Sequence, residues 1–313
     1  MPPLTGHGGD LPLLDLRALG TAADRTTAAK LVDEAFATGG FLRVVGHAVP
    51  QAAIDRIAER SRTFFTSDSA GKDTVQADMS DPLTRGLIRR EHHEQFFSSM
   101  LTEDGRTVPP EYRDFDRSNR WPRLAGFRQS FADYYREVDA LASTLMRLMA
   151  TALELPENWF VERFDQGFTP LVANYYPPFP EDGGGERLRH PAHRDWGAMT
   201  LLYQDDRHGG LQVRTAEGAW VDVPVAPGSF IVNLGMLMER WTGRRWVAAL
   251  HRVVALPEDF RSDRISLAFF CQPNLDVLVD RVPSGAGEAA SDPVTSGDYY
   301  RKLAQVVYGA NGA

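Results

Sequence analysis

His193 and Asp195 stand two residues apart in the run His190-Pro191-Ala192-His193-Arg194-Asp195-Trp196-Gly197, and an apolar stretch from Ala198 to Tyr203 follows. On an extended strand alternate side chains share a face, so this spacing aims both donors at one point. A third candidate, His251, ends another apolar run 56 positions after Asp195 (251 − 195). Its strand is expected to face the first across the mouth of a barrel. Two imidazole nitrogens and one carboxylate oxygen, with part of an octahedron left open, suit non-haem Fe(II) and oxygen chemistry. Zinc accepts the same donors, usually tetrahedrally, so the ligands alone do not select the metal. A His-x-Asp triplet arises often by chance, and what sharpens it is Arg264 and Ser266, the first of them 13 positions past His251 (264 − 251). Two apart on a strand, a guanidinium fork and a hydroxyl can hold one carboxylate between them. Such a clamp beside a three-donor metal implies a small acidic co-substrate. His190 lies close by in sequence and reads as structural.

The elements that must position these residues follow from periodicity. Helices are expected from about Thr26 to Thr38, capped by Thr26 or Thr27 and stopped by Gly39-Gly40, then from Pro50 to Phe65, from Phe131 to Leu153, and from Asp298 to Val307. Leu11–Leu16 reads as an edge strand and Phe41–Val45 as a strand. Residues 67–122 are polar, broken by Gly and Pro, and show little periodicity, which suits a loop that carries function. After Pro156 the texture changes to short apolar runs at 170–176, 199–203, 211–213, 220–223, 229–233, 246–250 and 265–270, separated by Gly, Pro and Asp. This pattern argues for a sandwich or barrel whose outer faces the helices cover. Residues 181–186 are flexible by composition.

The totals exclude several classes. A chain of 313 residues with 43% apolar content can bury a substantial core. The formal net charge is -8, with both signs interspersed and no basic tract, so nucleic acid is not an expected partner. The single cysteine, Cys271, excludes an intrachain disulfide and fits a reducing compartment. No window reaches the ~18 apolar residues of a membrane span, and residues 1–10 lack the order of a signal peptide. A cytoplasmic protein, monomeric or weakly self-associating, is expected.

The ordered motifs resemble a known family. His193-Arg-Asp195-Trp-Gly197 with the run to Asp205, then Gly210-Leu-Gln-Val213, Trp220-Val-Asp-Val-Pro224, Pro227 through Gly235, His251-Arg-Val253 and Arg264-Ile-Ser266 through Pro273 are similar to the isopenicillin N synthase-like family of Fe(II)/2-oxoglutarate-dependent oxygenases. So are Asn174-Tyr175-Tyr176-Pro-Pro178 and the N-terminal segments Leu11–Asp15 and Gly40–Pro50. The resemblance implies a β-rich α+β fold: a double-stranded β-helix, or distorted jelly roll, with N-terminal and flanking helices. An N-terminal region over 1–165, a catalytic core over 166–285 and a C-terminal helix over 286–313 would form one compact unit. It implies His193, Asp195 and His251 as iron ligands, Arg264 and Ser266 on the distal carboxylate of 2-oxoglutarate, Tyr176 assisting there and Asn174 at the proximal end. Fe(II), 2-oxoglutarate and O2 would be the cofactor and co-substrates. Two departures stand out: Gly235-Met236 where many members have Gly-Asp, and Arg194 where a small hydroxyl residue is common. The second puts positive charge near the pocket rim.

The implied activity is oxidation of an unactivated C–H bond of a small-molecule, specialised-metabolite substrate, by hydroxylation, desaturation or ring formation, with release of succinate and CO2. Arg85, Phe96, Phe97, Trp196 and Phe270 are the expected substrate contacts. Arg85 ranks first because a charge amid apolar residues needs a partner. The competing readings are a 2-oxoglutarate-independent oxidase of the isopenicillin N synthase type, which clamps the substrate's own carboxylate, and a metal-binding ligand sensor without turnover.

Overall fold

The computed structural model describes residues 10–79, 81, 83, 85–101, 103, 105–179, 187–206, 209–255, 260–283 and 292–309. The glycine-rich stretch 181–186 and residues 1–9 lie outside them.

Strands β1 (Leu13–Asp15), β2 (Phe41–Val45), β3 (Gly86–Arg89), β4 (Glu94–Ser99), β5 (Pro170–Tyr176), β6 (Arg187–His193), β7 (Met199–Gln204), β8 (Leu211–Arg214), β9 (Trp220–Asp222), β10 (Phe230–Leu234), β11 (His251–Ala255) and β12 (Arg264–Cys271) build two sheets. The major sheet has the order β1-β2-β10-β7-β12-β5-β4-β3, and the minor sheet β6-β11-β8-β9. Consecutive strands repeatedly change sheet (β5 to β6, β6 to β7, β7 to β8, β9 to β10), which is the winding of a double-stranded β-helix. Leu211, Val213 and Val223 from the minor-sheet side meet Phe41, Ile231 and Leu202 of the major sheet in an apolar filling between the sheets. Strands from 1–165 and from 166–285 share the major sheet, so the functional face belongs to both segments.

Helices α1 (Ala22–Thr38), α2 (Gln51–Phe65), α3 (Ser69–Asp73), α4 (Phe127–Ala152) and α5 (Val161–Phe164) precede β5, α6 (Met236–Trp241) follows β10, and α7 (Ser296–Gly309) follows the core. The buried positions Phe127, Phe131, Tyr134, Val138, Leu141, Leu145 and Leu148 recur at three- and four-residue spacing along α4 and pack against α1, α2 and the major sheet. The sequence places the cap of α1 too late. Thr21 and Asp24 form a reciprocal capping box, whereas Thr26 and Thr27 sit inside the helix and donate to the carbonyls of Ala22 and Ala23. Beyond α1, Gly40 has φ +67°, and a Cβ there would meet the Val247 carbonyl oxygen at 2.2 Å.

Three further differences have physical reasons. The stretch 67–122 contains β3 and β4, which extend the major sheet beyond β5; their alternation is hidden by short length and mixed charge. The apolar run 246–250 is not a strand. Its Trp246 indole donates to Asp33 and its Val247 amide to the Phe36 carbonyl, so α1 buries it instead of a ladder, and β11 begins only at His251. Strand β6 escapes a periodicity reading because Arg187-Leu-Arg-His-Pro-Ala-His193 is polar and contains a proline, tolerated at a sheet edge.

Candidate iron and co-substrate site

The two histidines come from neighbouring strands: His251, first residue of β11, is the direct cross-strand partner of His193, last residue of β6. They are side by side in one sheet and do not face each other across a mouth, and their rings are 4.3 Å apart. Asp195 lies just past the end of β6, in the crossover to the major sheet, so a turn and not strand alternation brings it to the same point. Three backbone donors at the start of α6 hold that crossover: Gly235 to Ala198, Met236 to the Asp195 carbonyl at 2.8 Å, and Leu237 to Trp196. Met236, the departure from the family pattern, thus contributes there through its amide.

The donor atoms are oriented by hydrogen bonds. Nδ1 of His193 lies 2.9 Å from the Pro191 carbonyl and Nδ1 of His251 3.1 Å from that of Ala249. A carbonyl only accepts, so each Nδ1 carries the proton and each Nε2 presents a lone pair. Oδ2 of Asp195 accepts from Thr200 Oγ1 at 2.6 Å and Asn233 Nδ2 at 2.7 Å, which leaves Oδ1. Oδ1 is 3.6 Å from His193 Nε2 and 3.7 Å from His251 Nε2. Both separations are within the ~4.2 Å that two donors ~2.1 Å from one ion can span. Among the described residues these three form the group of His, Cys, Asp and Glu able to hold a metal, with all donor atoms within 4.8 Å.

Protonation favours the same use. Burial pushes the His193 imidazole down to about 4, helped by His251 and opposed by Asp195. For Asp195 burial acts upward, but His251, His193 and the hydrogen bonds from Thr200 and Asn233 outweigh it and hold the carboxyl below its ordinary value. Near neutral pH, His193 is therefore a neutral imidazole and Asp195 a carboxylate, the forms a metal requires. The donor set fits Fe(II).

Arg264 and Ser266 lie on β12 of the major sheet, opposite Tyr176 and Asn174 of β5 respectively. All four line a narrow cavity between the sheets that also contains His193, Asp195 and His251. Arg264 is only 1% exposed, with its guanidinium 5.1 Å from the Tyr176 ring and 3.4 Å from Gln204 Oε1. Asn174 accepts from Gln95 Nε2 at 2.8 Å and donates toward Ser266 Oγ at 3.4 Å. Strand alternation carries the line on through Ala268 to Phe270. A metal position at one end and a buried guanidinium with a hydroxyl at the other suit a short dicarboxylate.

A second cavity, of about 310 Å³, opens to the outside. Gln95, His190, His193, Asp195 and Phe270 belong to the walls of both. The expected contacts Phe97, Trp196 and Phe270 line the outer cavity, joined by Tyr300 of α7, Gln272, Arg90 and Arg194. Phe96 does not reach it. Neighbouring strand residues point to opposite faces, and its ring is buried against Phe64, Phe127 and Phe131. Arg85 lines neither cavity: its guanidinium lies 4.6 Å over the Phe168 ring and donates to the Leu83 carbonyl, one layer behind Tyr300. Thr200, Asn233, Gln95 and Tyr300 were not among the expected site residues. Asn233 stands within a quoted motif, while Tyr300 carries no signal in the sequence.

No helix among the described residues is long and apolar enough to cross a membrane. Residues 168–273 match the 2OG-Fe(II) oxygenase superfamily, and residues 11–124 match the non-haem dioxygenase N-terminal family described from morphine synthesis. The 2-oxoglutarate-dependent dioxygenase gloF of Glarea lozoyensis is 32% identical over 274 residues, covering 80% of this chain and 83% of the relative. Gibberellin 20 oxidase 2 of Oryza sativa is 31% identical over 287 residues, covering 88% of this chain and 71% of the relative. A full-length Neurospora crassa protein crystallised with alpha-KG superposes with a TM-score of 0.85 at 26% identity, covering 95% of this chain and 96% of that one. The chain belongs to the 2OG-Fe(II) oxygenase superfamily and is an Fe(II)- and 2-oxoglutarate-dependent dioxygenase acting on a small molecule.

Proposed function

We propose that His193, Asp195 and His251 hold the iron, that Arg264 and Ser266 bind the distal carboxylate of 2-oxoglutarate with Tyr176 beside them, and that Asn174 serves the proximal end. The bound iron, with 2-oxoglutarate and O2, supplies oxidation of an unactivated C–H bond with release of succinate and CO2. Hydroxylation of a specialised-metabolite substrate is the outcome we assign. The chain's own residues do the positioning: Thr200 and Asn233 fix the carboxylate, the Pro191 and Ala249 carbonyls fix the two ring tautomers, and the outer cavity holds the substrate C–H bond beside the metal. We also place the protein in a reducing cytoplasm, without a nucleic-acid partner, on its single buried cysteine and net charge of -8.

The observation that carries this reading is the convergence of three oriented donors on the wall shared by two cavities, one ending in Arg264 and Ser266. Anaerobic titration of the Fe(II)-loaded protein with 2-oxoglutarate tests it. A metal-to-ligand charge-transfer band is expected in the wild type and is expected to vanish in Asp195→Ala. A wild type without the band, or a variant that keeps it, would overturn the assignment.

A further inference from the structure

The outer cavity differs from the inner one in its chemistry. Four aromatic rings, Phe97, Trp196, Phe270 and Tyr300, line it, and each is only partly buried. Most other large aromatics among the described residues are packed away. Rings from β4, from the crossover after β6, from β12 and from α7 converge here, with Trp196 and Tyr300 meeting edge to face at 5.5 Å. Apolar faces around a cavity near the lower end of the usual size range suit a small flat body that can slide between rings.

The charge is equally one-sided. Arg90 and Arg194 line the same cavity, and its one carboxylate is Asp195, whose Oδ2 is already engaged and whose Oδ1 faces the two imidazoles. Arg194 is exposed and is anchored at one atom only: Nε donates to the Ala248 carbonyl at 2.8 Å. The two terminal nitrogens of Arg194 and the Arg90 side chain have no carboxylate partner among the described residues, whereas Arg62, Arg106 and Arg245 are each paired with an acid. A guanidinium held at Nε in the wall of a cavity has its terminal N–H donors left for a ligand, and such a fork recognises an oxyanion. Arg194 shares the wall of this cavity with His193 and Asp195, so the group it grips lies close to the metal donors.

We propose that the prime substrate is a flat, apolar molecule bearing one oxyanionic group, a carboxylate or a phosphate ester. Its ring system lies among Phe97, Trp196, Phe270 and Tyr300, and its anionic head is bound by Arg194 with Arg90. The inference rests on the iron and co-substrate assignment above and adds the substrate class. It replaces Arg85, which the fold keeps behind the wall, with two arginines that line the cavity.

The test is equilibrium binding by calorimetry to the protein loaded anaerobically with Fe(II) and 2-oxoglutarate. The probes are 2-naphthoate, 2-naphthyl phosphate, methyl 2-naphthoate and decalin-2-carboxylate. At least one of the two naphthyl anions is expected to bind roughly ten- to a hundredfold tighter than the neutral ester, as a charge-assisted pair implies. Whichever of the two binds tighter identifies the head group. The saturated acid is expected to bind more weakly than its flat counterpart. Arg194→Gln, and separately Arg90→Gln, are expected to reduce the preference for anion over ester. Equal affinity for acid and ester, no binding of either naphthyl anion, or an undiminished preference in both variants would overturn the proposal. Binding of 2-oxoglutarate alone, measured first on the same samples, keeps the two readings apart. Its absence sinks the co-substrate assignment, while its presence without anion preference sinks only the substrate class.

Discussion

Thr200 donates its hydroxyl to Oδ2 of Asp195 across 2.6 Å, and Asn233 donates to the same oxygen across 2.7 Å. Neither touches the metal position, yet together they decide which carboxylate oxygen is left for it. Thr200→Val keeps the shape and removes one bond. Fe(II) affinity, measured by competition with a chromophoric chelator, is expected to fall by roughly 10- to 100-fold, with Thr200→Ser restoring most of it. Unchanged affinity would mean that Asn233 alone suffices.

Arg264 is the second lever. Lysine carries the same charge without the planar fork, so Arg264→Lys is expected to weaken 2-oxoglutarate binding by about tenfold or more while iron binding persists. Titration of the charge-transfer band separates the two effects. Equal affinity in the variant would show that charge alone is read at this end of the cavity.

The β12 side of this site was legible in sequence because alternation fixes its residues. Arg264, Ser266 and Phe270 share a face of β12 as period two requires. What escaped was everything that depends on pairing between distant segments. Residue spacing cannot show that His193 and His251 are register partners, that Asp195 sits in a crossover, or that α7 brings Tyr300 to the cavity. Arg85 shows the same limit: spacing cannot show that its guanidinium lies over Phe168 and donates to the Leu83 carbonyl, outside both cavity linings.

Phe96 and Phe97 offer a paired test of face assignment. Phe96→Ala removes a ring packed against three phenylalanines and is expected to cost about 3–5 kcal/mol of stability. Phe97 is partly exposed in the outer cavity, and its alanine variant is expected to cost under about 1 kcal/mol while impairing turnover of the prime substrate. Denaturant titration and succinate release distinguish them, and reversed effects would place the strand face wrongly.

Gly235 has an ordinary φ, so its constraint is purely one of space: a Cβ would meet the Gly197 carbonyl oxygen at 2.2 Å and that of Asp195 at 2.9 Å. Gly235→Ala is expected to push the crossover outward, costing about 1–3 kcal/mol and lowering metal affinity together. Stability lost with iron affinity intact would show that the crossover yields without moving Oδ1.

His93 supplies the pH prediction. Burial pushes its imidazole down to about 4, with the charge of Arg90 adding to the push. The unfolded chain titrates near ~6.5 and binds the proton that the folded chain refuses, so this contribution falls away as pH drops from about 6.5 towards 4 and is fully present above that window. His93→Phe keeps a ring against Tyr176 and His190 and is expected to flatten the loss by up to about 3 kcal/mol at pH 4. Denaturant titrations of the iron-free protein between pH 4 and 7 measure it, and parallel curves would exonerate His93.

The crossover at Asp195 has a mechanical consequence. His193 and His251 belong to the minor sheet, while the carboxylate beside them is tied to Thr200 on β7 and Asn233 on β10 of the major sheet. An ion held by all three side chains would rivet one sheet to the other at a single point. Saturation with metal would then raise the unfolding free energy by mass action and slow amide exchange at that end of the sandwich first. The atom that serves oxidation would also be a fastener of the fold.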